Sequence, residues 1–377
     1  MGVRRGLLAW FGDVDRVRQT LGARNHAYLR IIEYVRALCD GSLEGDGFKE
    51  RLEHAWRERT FPAYHERPLL LLAAMRCEAL AEGPRHPLYR WIVQGSVDAD
   101  SMTPAHVREA VRVERLGFWV SLATRRVQTN DVSRSVGWRW PVQCLGLSGR
   151  PLVLVDIGTA AGLNLLADQL PSGWIDEHGS PLDVAERVRT IRRIGYDTHP
   201  LDVRNEEDVR WLRACIWPGE IDRLSRFESA VNLFRAALES GRDWPELSTL
   251  SARLVPQRLS GLMETLPGNG VLLAVQSFLR SYLEPEQRTD YEEKMATWLR
   301  TSGPGRALWC VCEPSDDPGG AWPAEVHVSF LARTGSVESF VLGRCDYHPT
   351  RVSVDPVMVD TCAREFAGGR PLLRAVQ

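Results

Sequence analysis

The residues whose types and spacing carry most chemistry lie at 156–164. Asp156-Ile157-Gly158-Thr159-Ala160-Ala161-Gly162 places an acid ahead of small residues set two apart, and Asn164 follows. Gly158 can take a tight turn, while Ala160 and Gly162 let main chain come close to a ligand and to a packed helix. A helix beginning after Gly162 would turn its first N–H groups toward a polar ligand. The chemistry implied is the cradling of a nucleotide, with Asp156, Gly158, Thr159, Ala160, Gly162 and Asn164 around it. Its bland alternative is a tight strand-to-helix turn with no ligand.

A nucleotide ribose needs a carboxylate, because the two oxygens accept from both hydroxyls. Asp197, in Gly195-Tyr196-Asp197-Thr198-His199-Pro200-Leu201-Asp202, is the first choice and Asp202 the second, with an N-cap as the competing role. The common spacing is about 20 residues after the glycines, so Asp197 demands an insertion. Asp176 and Glu177 are nearer but stand in a loop-like setting. Upstream, Gln128-Thr129-Asn130-Asp131-Val132-Ser133-Arg134 offers amides and a guanidinium. Gln128, Asn130 and Arg134 are candidate ligand contacts, though Asn130 and Asp131 also suit a turn. Trp138 and Trp140 are core anchors or, alternatively, walls of a substrate site.

These groups need elements to hold them. The run 152–157 is apolar and β-branched, as a strand buried on both faces requires. A second strand is expected over 188–196 and a fourth-strand unit at 270–275, ending in Gln276-Ser277 with Tyr282 beyond. Another strand, 307–312, ends at Glu313-Pro314. Ligands in open α/β sheets bind outside the carboxyl ends of strands, which makes Gln276 and Ser277 candidate cofactor contacts and Tyr282 and Glu313 candidate catalytic groups. Glu313 would act as a base or merely cap or pair with an arginine. Runs 325–332 and 336–342, joined by Arg333-Thr334-Gly335, predict a closing antiparallel β-hairpin. Segment 172–184 reads as a loop or small hairpin insertion. Helices are expected at 205–217, 220–238 and 246–265, and between Tyr282 and Trp298.

Before position 148 little reads as a strand. Helical patterns are expected at 11–21, 27–38, 48–57 and 68–81. Another is N-capped by Thr103 ahead of Pro104 and runs through Val107, Val111, Leu116, Trp119 and Leu122. The expectation is therefore a helical N-terminal region, 1–148, serving to choose or enclose substrate, and an α/β domain, 149–377.

Composition removes other classes. The 377 residues are 44% hydrophobic and 25% charged, ordinary for a soluble globular chain. A formal charge of −2 gives no footprint for nucleic acid or an anionic membrane, and no apolar run of about twenty residues exists to span a bilayer. The eight cysteines contain no Cys-x-x-Cys pair. With a start that lacks the apolar core of a leader, they predict reduced thiols in the cytoplasm. No His/Cys/Asp/Glu cluster has metal-ligand spacing, and neither a nucleophile elbow nor a phosphate loop is present. His199 and His348, each beside a proline, read as surface turn residues.

The acid-x-Gly-x-Ala-x-Gly form resembles the first motif of class I S-adenosylmethionine (SAM) methyltransferases more than the dinucleotide fingerprint. Several stretches together are similar to a bacterial family of uncharacterised proteins, a domain of unknown function with a methyltransferase-like core. They are 128–134, 156–168 ending Ala-Gly-Leu-Asn-Leu-Leu-Ala-Asp, 195–203, 211–218 and 277–288. The resemblance covers about 15–355. The family carries a strand and Gly-Asp before its fourth-strand unit, where this chain has Gly241-Arg242-Asp243-Trp244; Asp243 becomes a candidate cofactor contact. It ends with His-Gly after the hairpin, where this chain has His348-Pro349. What the resemblance implies is a class I methyltransferase-like (Rossmann-like) sheet that binds SAM.

The expected activity is methyl transfer to a small-molecule acceptor. The absence of an Asn-Pro-Pro-Tyr type stretch argues against planar nitrogen targets. Two alternatives stand beside it. One is attack on another carbon of the same sulfonium, giving a ring and a thioether. The other is a module that senses SAM without turnover. A nicotinamide-dependent oxidoreductase is disfavoured by the closing hairpin. The sequence leaves the oligomeric state open.

Overall fold

The structure is a computed structural model describing residues 12–15, 25–44, 47–241, 244–315 and 321–367. The chain falls into two compact units. One comprises 1–129 and 204–225, the other 130–203 and 226–377. The segment between Asn130 and the expected boundary at 148 belongs to the second of these units.

The first unit is helical. His26–Asp40 opens with the Asn25 side chain accepting from the Tyr28 amide and closes at Gly41 in the left-handed region. Phe48–Trp56 and Glu66–Glu82 follow, and Glu206–Ala214 packs along the latter. The single helix expected from Thr103 to Leu122 is two, Pro104–Ala110 and Leu116–Thr124. Val111 and Leu116 stand five apart, and Leu116 is 70% exposed, so no apolar face continues across the break. The expected helix 11–21 lies, apart from 12–15, outside the described residues.

The second unit is α/β, built on a nine-stranded mixed sheet. Its strands are β1 (Leu152–Ile157), β2 (Ile175–Asp176), β3 (Thr190–Asp197), β4 (Glu246–Thr249), β5 (Val271–Ser277), β6 (Ala307–Pro314), β7 (Ala324–Leu331), β8 (Val337–Cys345) and β9 (Arg351–Val354). They lie in the order β2-β9-β8-β7-β6-β5-β1-β3-β4. β4, β3, β1, β5 and β6 are parallel, β7 is antiparallel to β6, and β8 is antiparallel to β7. β8 therefore ends on the same edge of the sheet as β1, β3, β5 and β6.

Two elements differ from expectation. Residues 246–249 are the edge strand β4 rather than the start of a helix, which begins only at Val255. Glu-Leu-Ser-Thr offers one apolar side chain, and an edge strand with its side chains largely in solvent needs no more. Residues Leu163–Gln169 form a 3-10 turn rather than an α-helix. That turn is tied down at its end, where Arg193 on β3 grips the Asp168 carboxylate through two hydrogen bonds of 2.8 Å.

Helices cover both faces. On one, Val153, Val155 and Ile157 of β1, Leu272 and Ala274 of β5, and Trp309 and Val311 of β6 meet Leu259, Tyr291, Met295, Trp298 and Leu299 of helices Val255–Glu264 and Pro285–Ser302. On the other lies helix Val136–Cys144, brought close by Gly137: a Cβ there would stand 3.0 Å from Cys312 Cβ. Cys310 and Cys312 are buried free thiols of the core. No helix among the described residues is long and apolar enough to cross a membrane.

Leu272 is fully buried at the centre of the sheet. Leu272→Ala is expected to cost about 2–5 kcal/mol, and Val357→Ala, at a 74% exposed position, less than about 0.5 kcal/mol. Urea midpoints read the difference; equal midpoints would contradict the packing described.

Candidate functional site

β1 runs fully buried into the turn at 158–162, and the turn's own donors are already engaged. The Gly158 and Thr159 amides donate to the Tyr196 carbonyl at 2.8 and 3.2 Å. Ala160 N–H donates to Asp197 Oδ2 at 2.9 Å. Ala161 and Leu163 N–H both donate to Asn130 Oδ1, at 3.2 and 3.3 Å, while Asn130 Nδ2 donates to the Thr159 carbonyl at 3.4 Å. The expectation that this turn presents free N–H groups is therefore corrected: a buried amide and the β3 carboxylate take them. Such pairing is what burial of the main chain requires.

The backbone here is unusual. Gly158 and Gly162 have φ of +80° and +76°, and Ala160, which has a Cβ, stands at +52°. A left-handed non-glycine residue costs of order 1–3 kcal/mol and persists only where its surroundings over-determine it. Gly195 on β3 leaves the space: a Cβ there would sit 2.6 Å from both Thr159 Cγ2 and Leu247 Cδ2. Gly158 is exposed, and a Cβ on it would come within 3.2 Å of Leu279 Cδ1. The crevice between the ends of β1 and β5 is thus narrow and lined by bare main chain on one side.

Beneath the turn, Asp156 is buried and accepts from the Thr159 hydroxyl at 2.9 Å. Burial pushes its carboxyl from the ordinary 3.8 up to about 7, with the Thr159 bond opposing and the Asp197 charge adding. Asp197, partly exposed, also accepts from the His199 amide at 2.9 Å. Each of its oxygens keeps a further lone pair. Asp202 lies partly buried just past Leu201, whose amide donates to the Ala160 carbonyl at 3.1 Å.

The ends of β5 and β6 form a second cluster. Gln276 is fully buried; its Oε1 accepts from Tyr291 Oη at 2.6 Å and Trp309 Nε1 at 3.0 Å, and its Nε2 donates to Glu313 Oε1 at 2.8 Å. Glu313 Oε1 also accepts from Leu279 N–H at 2.8 Å, and both its oxygens from Arg280 N–H at 3.3 Å. Burial raises its carboxyl above the ordinary carboxylate range. Its oxygens are spent on the loop after β5, so it positions Leu279 opposite Gly158. Ser277 and Tyr282 are partly buried at the same edge. Phe278 between them has φ of +55°, a genuine outlier for a bulky residue.

Arg134 comes to this edge as well. Its guanidinium carbon lies 3.9 Å from the Phe278 ring centroid and its Nε donates to the Tyr347 carbonyl at 3.1 Å. Burial lowers its pKa, with Asp131 the largest opposing influence. Trp138 and Trp140 are buried, with Trp138 Nε1 on the Asn164 carbonyl at 3.3 Å and Trp140 against Gly343. Both fill core rather than wall an opening. Asn164 is buried too, and its Oδ1 has no hydrogen-bond partner among the described residues. Gln128 is partly buried in the helical unit. Asp243 lies outside the described residues.

One pair escaped the sequence. Asp131 Oδ2 meets His348 Nδ1 at 2.9 Å across 217 residues of chain. Asp131 Oδ1 accepts from the Ser133 amide and hydroxyl at 3.0 and 2.8 Å. His348, read from sequence as a surface turn residue, is oriented by a carboxylate whose side chain is only 1% exposed.

Two variants test the turn. Asn130→Ala strands buried main-chain groups and is expected to lower stability by about 1–3 kcal/mol, read by urea unfolding. For Asp156 the raised native pKa means stability is full at acid pH and falls as pH rises from 3.8 through about 7. Asp156→Asn escapes that loss, so its melting temperature relative to wild type should climb between about pH 5 and about pH 8. A flat difference would contradict the burial of that carboxyl.

A family model described as "Uncharacterized protein conserved in bacteria (DUF2332)" matches residues 31–354. No curated protein matches the chain. By the extent of that match, the chain belongs to the family of uncharacterised proteins conserved in bacteria.

Proposed function

We propose that the protein binds S-adenosylmethionine at the carboxyl edge of its sheet and transfers the methyl group to a small-molecule acceptor. The observation that carries this reading is the exposed Gly158 turn at the end of β1, set beside the Asp197 carboxylate at the end of β3. From β1 the chain proceeds outward through β3 to β4, then returns to β5 on the other side of β1. Ligands in open α/β sheets bind at such a reversal. A run of parallel strands followed by an antiparallel β7 beside β6 also suits a class I methyltransferase-like sheet. Unlike the expected closing hairpin, β8 continues into β9 rather than ending the sheet.

The hydrogen bonding of the turn favours SAM over a dinucleotide. A diphosphate is held by free N–H groups at a helix start, and here the amides of 158–161 and 163 are engaged by Tyr196, Asn130 and Asp197. An adenosyl group without phosphate needs only surface against Gly158 and a carboxylate for its ribose. Asp197 has lone pairs remaining for that purpose. Glu313 and Gln276 hold the facing loop, and Leu279 on it reaches to the Gly158 turn, so its side chain must swing aside to admit the adenosyl group. SAM brings an already electrophilic carbon, so these residues need only align an acceptor at about 3–3.5 Å and exclude water.

Thermal unfolding with SAM, S-adenosylhomocysteine and NAD tests the reading. A ligand at 100 times its dissociation constant adds about 2.7 kcal/mol, and SAM should give such a shift while NAD gives none. Gly158→Val, which fills the crevice toward Leu279, should abolish the shift; Gly261→Ala, with open space around it, should keep it. A shift with NAD alone, or a SAM shift that survives Gly158→Val, would overturn the assignment.

A further inference from the structure

Glu313, expected to serve as a base or to cap or pair, is spent on Gln276 and the loop after β5. His348 follows the end of β8, on the same sheet edge as the Gly158 turn. Its Nδ1 lies 2.9 Å from Asp131 Oδ2, and its side chain is 31% exposed while that of Asp131 is 1%. Facing a carboxylate, Nδ1 carries the proton, and Nε2 becomes the basic nitrogen of the neutral ring. Asp131 is fixed by Ser133 and joined directly to Asn130, the residue that ties the turn after β1. One dipeptide therefore sets both the nucleotide turn and the imidazole.

Beside the dyad is a small cleft of about 50 Å³, lined among others by Ser133, Trp174, Arg226, Pro349 and Thr350. Ser133, Pro349 and Thr350 lie within two residues of Asp131 or His348 in sequence. Arg226 stands there with its Nε 4.0 Å from Asp131 Oδ1 and its side chain 32% exposed. That Nε is buried, with no hydrogen-bond partner among the described residues, so the side chain's exposure lies elsewhere than at Nε. Asp131 is already engaged by Ser133 and His348, so the guanidinium is left with capacity for a second anion. Arg and a carboxylate or phosphate pair by matched, charge-assisted hydrogen bonds.

We propose that His348, positioned by Asp131, is the general base for an acceptor hydroxyl, and that Arg226 receives the acceptor's anionic group; the acceptor is a small hydroxy acid. This rests on the SAM reading above. In the step, the acceptor O–H bond breaks and its proton passes to His348 Nε2. The oxygen pair forms the new C–O bond as the methyl carbon leaves sulfur, which keeps the C–S electrons. The imidazolium so formed is stabilised by Asp131 and returns its proton to water.

Nitrogen-15 NMR of the histidine rings, with salicylate as probe, tests this without knowledge of the true acceptor. The free protein should show His348 as the Nδ1–H tautomer, and salicylate should shift its ring signals saturably. Arg226→Gln should weaken that binding at least about tenfold, and His348→Gln should remove the histidine signal assigned to the site. Both variants should retain stabilisation by SAM, which shows them folded. An Nε2–H tautomer, unmoved His348 signals, or equal salicylate binding by Arg226→Gln would overturn the proposal. If salicylate shifts His348 while SAM leaves the wild type unstabilised, the anion site stands and the SAM reading falls.

Discussion

The second unit depends on one side chain more than on any other, the amide of Asn130. It lies buried beside the end of the central strand and satisfies three main-chain groups of the 159–163 turn, two donors and one acceptor. A turn containing a left-handed alanine and two left-handed glycines is not held by local preference. Its main-chain groups must find partners within the protein, because water reaches few of them. Asn130 and Asp197 supply those partners from opposite sides, and the exposed face of Gly158 remains as bare surface. The consequence for function is selective. A turn saturated in this way is poorly suited to gripping phosphate and well suited to lying against a nucleoside.

The same economy governs the facing wall. Glu313 and Gln276 are the polar groups at the ends of adjacent parallel strands, where catalytic residues are usual, yet both are fully buried. Their oxygens and nitrogens are matched by Tyr291, Trp309 and the amides of Leu279 and Arg280. A buried polar network of this kind stays favourable only when all its members are satisfied. Its product is a fixed loop, with Leu279 opposite Gly158 and a strained Phe278 under the Arg134 guanidinium. Chemistry that needs a proton acceptor has therefore to come from a group nearer solvent, and His348 occupies that place.

Much of the sheet was legible because its central strands are apolar on both faces. β1, β5 and β6 read as unbroken hydrophobic runs, and the acid, glycine and glutamine residues that end them mark the edge at which we propose the site. The place of Asp197 at the end of β3 was legible despite its long separation from the glycines, since it closes a recognisable strand. β4 was not legible: four mostly polar residues on an edge carry no periodic signal, and their pairing with β3 is decided by tertiary context. The break between Pro104–Ala110 and Leu116–Thr124 was missed because apolar residues recur across it at a spacing close to helical. The Asp131–His348 pair had no local signal at all. Two residues separated by 217 positions meet only because β8 ends at the same edge as β1, a fact of topology rather than of pattern. For the same reason Trp138 and Trp140, near the site in sequence, proved to be buried packing.

The most direct test of the central claim is the electron density of the protein crystallised with S-adenosylmethionine. The account places the adenosyl group in the crevice between Gly158 and Leu279, with the ribose hydroxyls on the Asp197 carboxylate and Asn130 still bonded to the turn. Density for the ligand at any other cleft, or a Gly158 crevice closed by Leu279 with SAM at saturating concentration, would contradict it.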